Sequence, residues 1–239
     1  MQKISVILPF YNEEKRILAT LKEVEKFSKK NKNFDFLFVD DGSNDKTLDI
    51  LRKEKNSQKI RILSYTKNKG KGHAIRTGVK YVDGNLICFM DSDLAYSLEH
   101  LFEMKERLND FDVVIGCRGL AEETAKNVPM IRKIFGVGFN ILSRAILNLN
   151  FRDMQAGVKG FKREVAKKLF QNQKINGFSF DTEILYLAKK YKYSIGKIPA
   201  RVSNNNSYSI SKVNLFRDTL KMFLSLFIIR LNDLIGKYE

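Results

Sequence analysis

The stretch NLICFMDSD at 85–93 decides how this chain is read. Residues 85–90 are uncharged and rich in strand formers. Asp83-Gly84 opens the run like a turn, so a short buried strand is predicted there. Asp91 and Asp93 follow at its carboxyl end, one residue apart. That end of a strand is where α/β sheets place ligands. Two carboxylates there can share a hard divalent cation, and the cation can hold a diphosphate. The same residues also suit an ordinary strand-to-helix turn with Ser92 or Asp93 as the helix cap.

Working outward, two hydrophobic periods alternate through the first half. Strands are predicted at Ile4–Pro9, Phe34–Val39, Ile60–Tyr65, Leu86–Met90 and Val113–Cys117. Helices are predicted between them. The first, Glu13–Lys30, carries Ile17, Leu21, Val24 and Phe27 at helical spacing. The others are Lys46–Lys53, Gly72–Tyr81 and Leu98–Leu108. Alternation at this pitch predicts an α/β fold with a mostly parallel sheet covered on both faces. In the second half, helices are expected at Ile131–Leu149, Glu164–Phe170 and Thr182–Tyr191, with a strand at Ile195–Val202. The tail places Phe216, Leu220, Phe223, Phe227, Leu231 and Leu234 on one face, and Lys212, Arg217, Lys221 and Arg230 elsewhere. Such a helix can lie in a membrane interface or pack on the core. Basic and bulky apolar residues alternate both here and at 131–149, which favours the interface. The expected organisation is a catalytic domain at 1–211 followed by an interface helix at 212–239.

The 239 residues suit one large domain with a small appendage, and a 44% apolar fraction is ample for its core. Lys and Arg number 43 against 27 Asp and Glu, a net charge of +16. That excess points to an anionic partner: nucleic acid, a membrane surface or a phosphorylated substrate. Nucleic acid is disfavoured, because no helix-turn-helix, finger or aromatic RNA-binding pattern is present. Cys88 and Cys117 each lie in an apolar run and read as buried reduced thiols of a cytosolic protein. No signal peptide or uncharged membrane span is expected, and no element specifies an oligomeric state.

Three more motifs sit at predicted strand ends. PFYNEE at 9–14 closes the first strand and DDGSND at 40–45 the second. Carboxylates there can accept from a nucleobase N–H or from ribose hydroxyls, and Ser43 or Asp45 can also cap the next helix. NKGKGHA at 68–74 follows the third strand. Its glycines let backbone approach a ligand closely, and its lysines neutralise phosphate. Neither a Walker spacing nor a G-x-G-x-x-G fingerprint is present.

Taken in order, LPFYNEE, VDDGSNDKT, NKGKGHAIRTG, MDSDLA and VVIGCR resemble the inverting GT-A glycosyltransferases of family 2. DMQAGVKGF at 153–161 and GFSFDTEIL at 177–185 resemble the polyprenyl-phosphate sugar transferases within that family. The resemblance covers residues 3–212. It implies a Rossmann-like three-layer GT-A sandwich, a nucleotide-sugar donor (UDP-glucose or GDP-mannose) and Mg2+ or Mn2+. Carried over by position, Pro9, Tyr11, Glu13 and one of Asp40 or Asp41 would hold the nucleoside. Lys71 would lie near the diphosphate, and Asp91 and Asp93 would flank it, with Asp93 the direct metal ligand. Arg118 and Arg132 would hold the acceptor phosphate. Asp153, Gln155 and Gly157 would shape the acceptor-side loop, and Ser211-Lys212 would close over the donor. Mannosyl members of the branch carry Gln two residues after the second Asp as a further metal ligand. Here that position is Ala95, so DSDLAYSLEHL looks closer to glucosyl members.

The implied reaction is inverting displacement at the anomeric carbon, with a nucleoside diphosphate leaving. A lipid-phosphate acceptor is already ionised and needs positioning rather than a base. The alternative acceptor is a sugar hydroxyl in capsule, cell-wall or other surface polysaccharide synthesis. That would need a base, Asp153 before Asp181, although Asp181 can instead cap the helix at Thr182. A polyprenyl phosphate resides in a bilayer, so the expected enzyme is peripheral at the cytoplasmic membrane face.

Overall fold

The computed structural model describes residues 2–121, 130–151, 156–202 and 215–239, with the helix backbone alone for 130–137 and 215–219. The first half alternates as read: β1 (Ile4–Phe10), α1 (Ile17–Lys30), β2 (Phe34–Asp40), α2 (Thr47–Glu54), β3 (Ile60–Ser64), α3 (Lys71–Tyr81), β4 (Leu86–Met90), α4 (His100–Arg107) and β5 (Val113–Cys117). A 3-10 turn at Arg118–Leu120 follows. The second half contains α5 (Met130–Leu147), β6 (Val158–Lys162), α6 (Arg163–Asn172), α7 (Phe180–Lys190), β7 (Ile195–Pro199) and α8 (Leu215–Leu234).

The seven strands form one sheet in the order β3-β2-β1-β4-β6-β5-β7. Every pairing is parallel except those of β6, which runs antiparallel to both β4 and β5. Residues alternate between its two faces, as strand geometry requires. Ile7, Val39, Phe89, Ile115 and Phe161 join the core under α3, α6 and α7. Val6, Leu8, Phe38, Met90 and Val114 join the core under α1 and α4. This is the expected three-layer α/β sandwich.

The sequence reading needs correction in several places. Strand β6 was not predicted, because its VKGFK run has two lysines and a glycine among few apolar residues. It nevertheless lies inside the sheet, where Lys159 is fully buried. Helix α1 starts at Ile17, not Glu13: residues 14–16 form a turn first, in which the Arg16 amide donates to the Glu13 carbonyl at 2.8 Å. Both cysteines are buried free thiols, and burial pushes the Cys88 thiol up to about 12. That leaves it inert as a nucleophile.

Helix α8 contributes Leu226 and Ile229 to the core, as does Tyr238 just beyond it. Phe223 meets Phe139 of α5 edge-on at 5.8 Å. Leu220, Leu224, Phe227, Leu231 and Leu234 remain more than half exposed. The helix is therefore apolar on more than one side, unlike the single apolar face read from its spacing. Among the described residues, no helix is long and apolar enough to cross a membrane.

Candidate active site at the strand ends

Register brings the strand-end motifs side by side. Phe10 is opposite Asp40, and Asp40 is opposite Ser64. The turns after β1 and β2 are stitched to each other. The Asn12 amide donates to Ser43 Oγ, the Asn44 amide to Asn12 Oδ1, and the Glu14 amide to Asp45 Oδ2. Asn12 has a φ of 54°, a left-handed conformation that a short polar side chain tolerates. Pro9 is buried in β1, while Tyr11 and Glu13 line the turn beyond it. Glu13 holds Arg16 at 2.6 Å. Ser43 thus ties the two turns together, and Asp45 accepts the amide of Thr47, the first residue of α2, at 3.0 Å.

Asp40 and Asp41 are both buried, and they are used differently. Asp40 accepts the Ser43 amide. Asp41 accepts from the Tyr65 hydroxyl, the Asn68 side chain and the backbone amides of Lys69 and Gly70, at 2.7–3.0 Å. It therefore anchors the whole loop after β3. Burial, then the Asp41 hydrogen bond, pushes the Tyr65 hydroxyl pKa upward. Gly70 enters α3 with φ 99°, and a Cβ there would lie 2.6 Å from the Asn176 carbonyl oxygen. Glycine is required on both counts.

That loop delivers Lys71, the first residue of α3, to Asp91 at 2.5 Å. Burial works against the Lys71 ammonium, but Asp91 and then Asp181 outweigh it, and its pKa is raised. The Asp91 amide donates to the Gly157 carbonyl at 2.9 Å. A Cβ at Gly157 would stand 1.9 Å from Asp91 Oδ2, so the carboxylate occupies space that only glycine leaves. Buried Thr20 of α1 pins the turn through the Ser92 carbonyl at 2.7 Å. Asp93 accepts the Ala95 amide at 3.0 Å, and Leu94 between them has φ 49°. A branched residue in that region marks local strain held by its surroundings. Burial and the neighbouring charge of Asp91 both raise the Asp93 pKa. Neither Ser92 nor Asp93 caps a helix, since α4 begins only at His100.

One pair of functional interest was missed. Lys159 of β6 meets Asp181 of α7 at 2.6 Å, both almost wholly buried. Asp181 neither caps α7, whose N-cap is Ser179, nor is exposed enough to reach an acceptor as a base. Burial, opposed by Lys159 and Lys71, raises its pKa. Arg118 stands exposed at the end of β5. Arg132 belongs to α5 by its backbone alone. Asp153, Gln155, Ser211 and Lys212 lie outside the described residues. The structure therefore unites Pro9, Tyr11, Glu13, Asp40, Asp41, Lys71, Asp91 and Asp93 along one sheet edge.

The sequence profile of "Glycosyl transferase family 2" matches residues 5–170, from β1 into α6, and so includes the four strand-end motifs. This chain belongs to glycosyltransferase family 2. The family 2 chain is 32% identical over 255 residues to human dolichyl-phosphate beta-glucosyltransferase, covering 100% of this chain and 78% of that protein. Against the Dictyostelium discoideum protein of the same name, identity is 30% over 252 residues, covering 99% and 76%. Among solved structures, it superimposes with a TM-score of 0.62 and 15% identity on glucosyl-3-phosphoglycerate synthase from Mycobacterium tuberculosis, covering 96% of this chain and 79% of that one. That structure is a complex with Mn2+, UDP-glucose and phosphoglyceric acid. The likeness extends the GT-A fold to this family 2 member.

Proposed function

We propose that this glycosyltransferase moves glucose from UDP-glucose to a dolichyl or other polyprenyl phosphate, with inversion, at the cytoplasmic face of a membrane. The observation that carries the proposal is the Lys71–Asp91–Asp93 cluster at the sheet edge, beside the stitched turns after β1 and β2. The relatives' names supply the sugar and the acceptor class.

Asp91 and Asp93 offer hard oxygen donors, and their mutual repulsion is what a divalent cation relieves. Mg2+ or Mn2+ therefore fits here, with Asp93 as direct ligand, and when bound it would neutralise charge on the diphosphate. Ala95 contributes no side-chain ligand; its amide instead orients Asp93. Pro9, Tyr11, Glu13 and Asp40 frame the nucleoside, and Asp41 does so through the loop it anchors. Lys71 stabilises the departing nucleoside diphosphate from the N-terminus of α3, a position that favours anions. Arg118 and Arg132 hold the acceptor phosphate, whose ionised oxygen attacks without a base. Asp153, Gln155 and Gly157 shape that side, and Ser211 and Lys212 close the donor side. The burial of Asp181 removes one base that a hydroxyl acceptor would need.

The decisive experiment offers UDP-glucose, GDP-mannose and UDP-GlcNAc with undecaprenyl phosphate, dolichyl phosphate or an oligosaccharide, with Mg2+ or Mn2+. Glucosyl lipid from UDP-glucose alone is expected. Sugar transfer only to the oligosaccharide would replace the acceptor assignment.

The membrane face is assigned to the exposed apolar side chains of α8, joined by Ile141 and Leu142 of α5. These side chains stay in water in the isolated protein, an arrangement that suits a lipid interface. The chain's net charge of +16 adds attraction of about 1 kcal/mol per Lys or Arg held near anionic lipid. Flotation with vesicles containing phosphatidylglycerol is expected to carry the protein at physiological salt. Exchange of Phe227 and Leu231 for Ser should leave it in the soluble fraction.

A further inference from the structure

We propose that the buried Lys159–Asp181 ion pair positions the Asp91–Lys71 end of the donor site, and so sets turnover rather than merely holding the fold. The role rests on the transferase reading above. Lys159 of β6 and Asp181 of α7, with α6 between them in sequence, meet at 2.6 Å. Lys159 Nζ also donates to the Ala156 carbonyl at 2.9 Å. That grip fixes the backbone just before Gly157, whose carbonyl takes the Asp91 amide and whose missing side chain makes room for the Asp91 carboxylate. Lys159 therefore controls where Asp91 sits without touching it.

Asp181 works on the other partner. It is the second residue of α7, directly after Phe180, whose ring centroid lies 5.9 Å from Lys71 Nζ. A Cβ at Gly72 would come within 2.6 Å of Phe180 Cβ, so the starts of α3 and α7 are in direct contact. Phe89 of β4 packs on Phe180 at 5.6 Å, and Lys159 stands 5.5 Å from the Phe89 ring. The result is an alternating series, Asp91, Lys71, Asp181 and Lys159, around an aromatic wedge. A buried pair of this kind is poor evidence for stability, since apolar replacements often serve as well. Its placement behind the site gives it another use.

The test is the double variant Lys159→Met with Asp181→Leu, which removes both charges together and avoids a lone buried ion. Turnover is expected to fall about 100-fold, the loss that a displacement of about 1 Å produces. Calorimetry should show UDP with Mn2+ binding at least tenfold more weakly than in the native protein, while UMP without metal binds unchanged, because the pair acts at the diphosphate end. Lys159→Arg, which keeps the charge, should recover most of the loss. A double variant with native turnover and native UDP–Mn2+ affinity would overturn the positioning role alone. A native protein that binds no UDP with Mn2+ would instead remove the donor reading and this proposal with it.

Discussion

Gly157→Ala lowers turnover by about two orders of magnitude and leaves the protein folded. The added Cβ would sit 1.9 Å from Asp91 Oδ2 and 2.4 Å from its Cγ. No such contact survives, so one partner must move. The Gly157 backbone is tied into the sheet edge by the Asp91 amide and leads directly into β6. The Asp91 side chain is the softer partner, being one-third exposed. It swings away, leaves Lys71 without its 2.5 Å contact, and no longer stands beside Asp93. Steady-state kinetics with UDP-glucose and a polyprenyl phosphate, alongside a thermal melt, measure both halves. Native turnover in a folded Gly157→Ala variant would remove Asp91 from the working site.

Lys159→Met alone destabilises the protein by about 3–5 kcal/mol, the usual cost of stranding one member of a buried ion pair. For a domain of this size that lowers the melting temperature by roughly 6–20 °C. The reason is local: Asp181 is 4% exposed and is ion-paired to Lys159. Asp181 must then be protonated or admit water. Adding Asp181→Leu should restore most of the lost stability, because the second change removes the stranded charge. A Lys159→Met protein that melts like the native one would show that Asp181 is already neutral in the folded state.

The five strands of the first half could be read from the sequence because each is a short apolar run bounded by turn residues. Four of the site motifs were legible for the same reason, since a parallel sheet puts successive strand ends on one edge. Strand β6 was illegible because its inward lysine is tolerated only through Asp181, twenty-two positions further on. The division between Asp40 and Asp41 was equally hidden. Adjacent residues of one type are identical in pattern, and only the loop from Tyr65 to Gly70 distinguishes them. The outward apolar side of α8 could be counted in the sequence, but its fate could not. Whether such a face is covered depends on what α5 and the core leave over.

By itself the sequence determined the layer architecture and the chemistry at the strand ends, because both follow from local periodicity and from residue types at turns. Tertiary structure decided which carboxylate meets which cation. That choice rests on contacts between distant segments: Lys71 with Asp91, Gly157 against Asp91, and Lys159 with Asp181. A buried charge is stable only where its partner arrives, and no short stretch of sequence contains both.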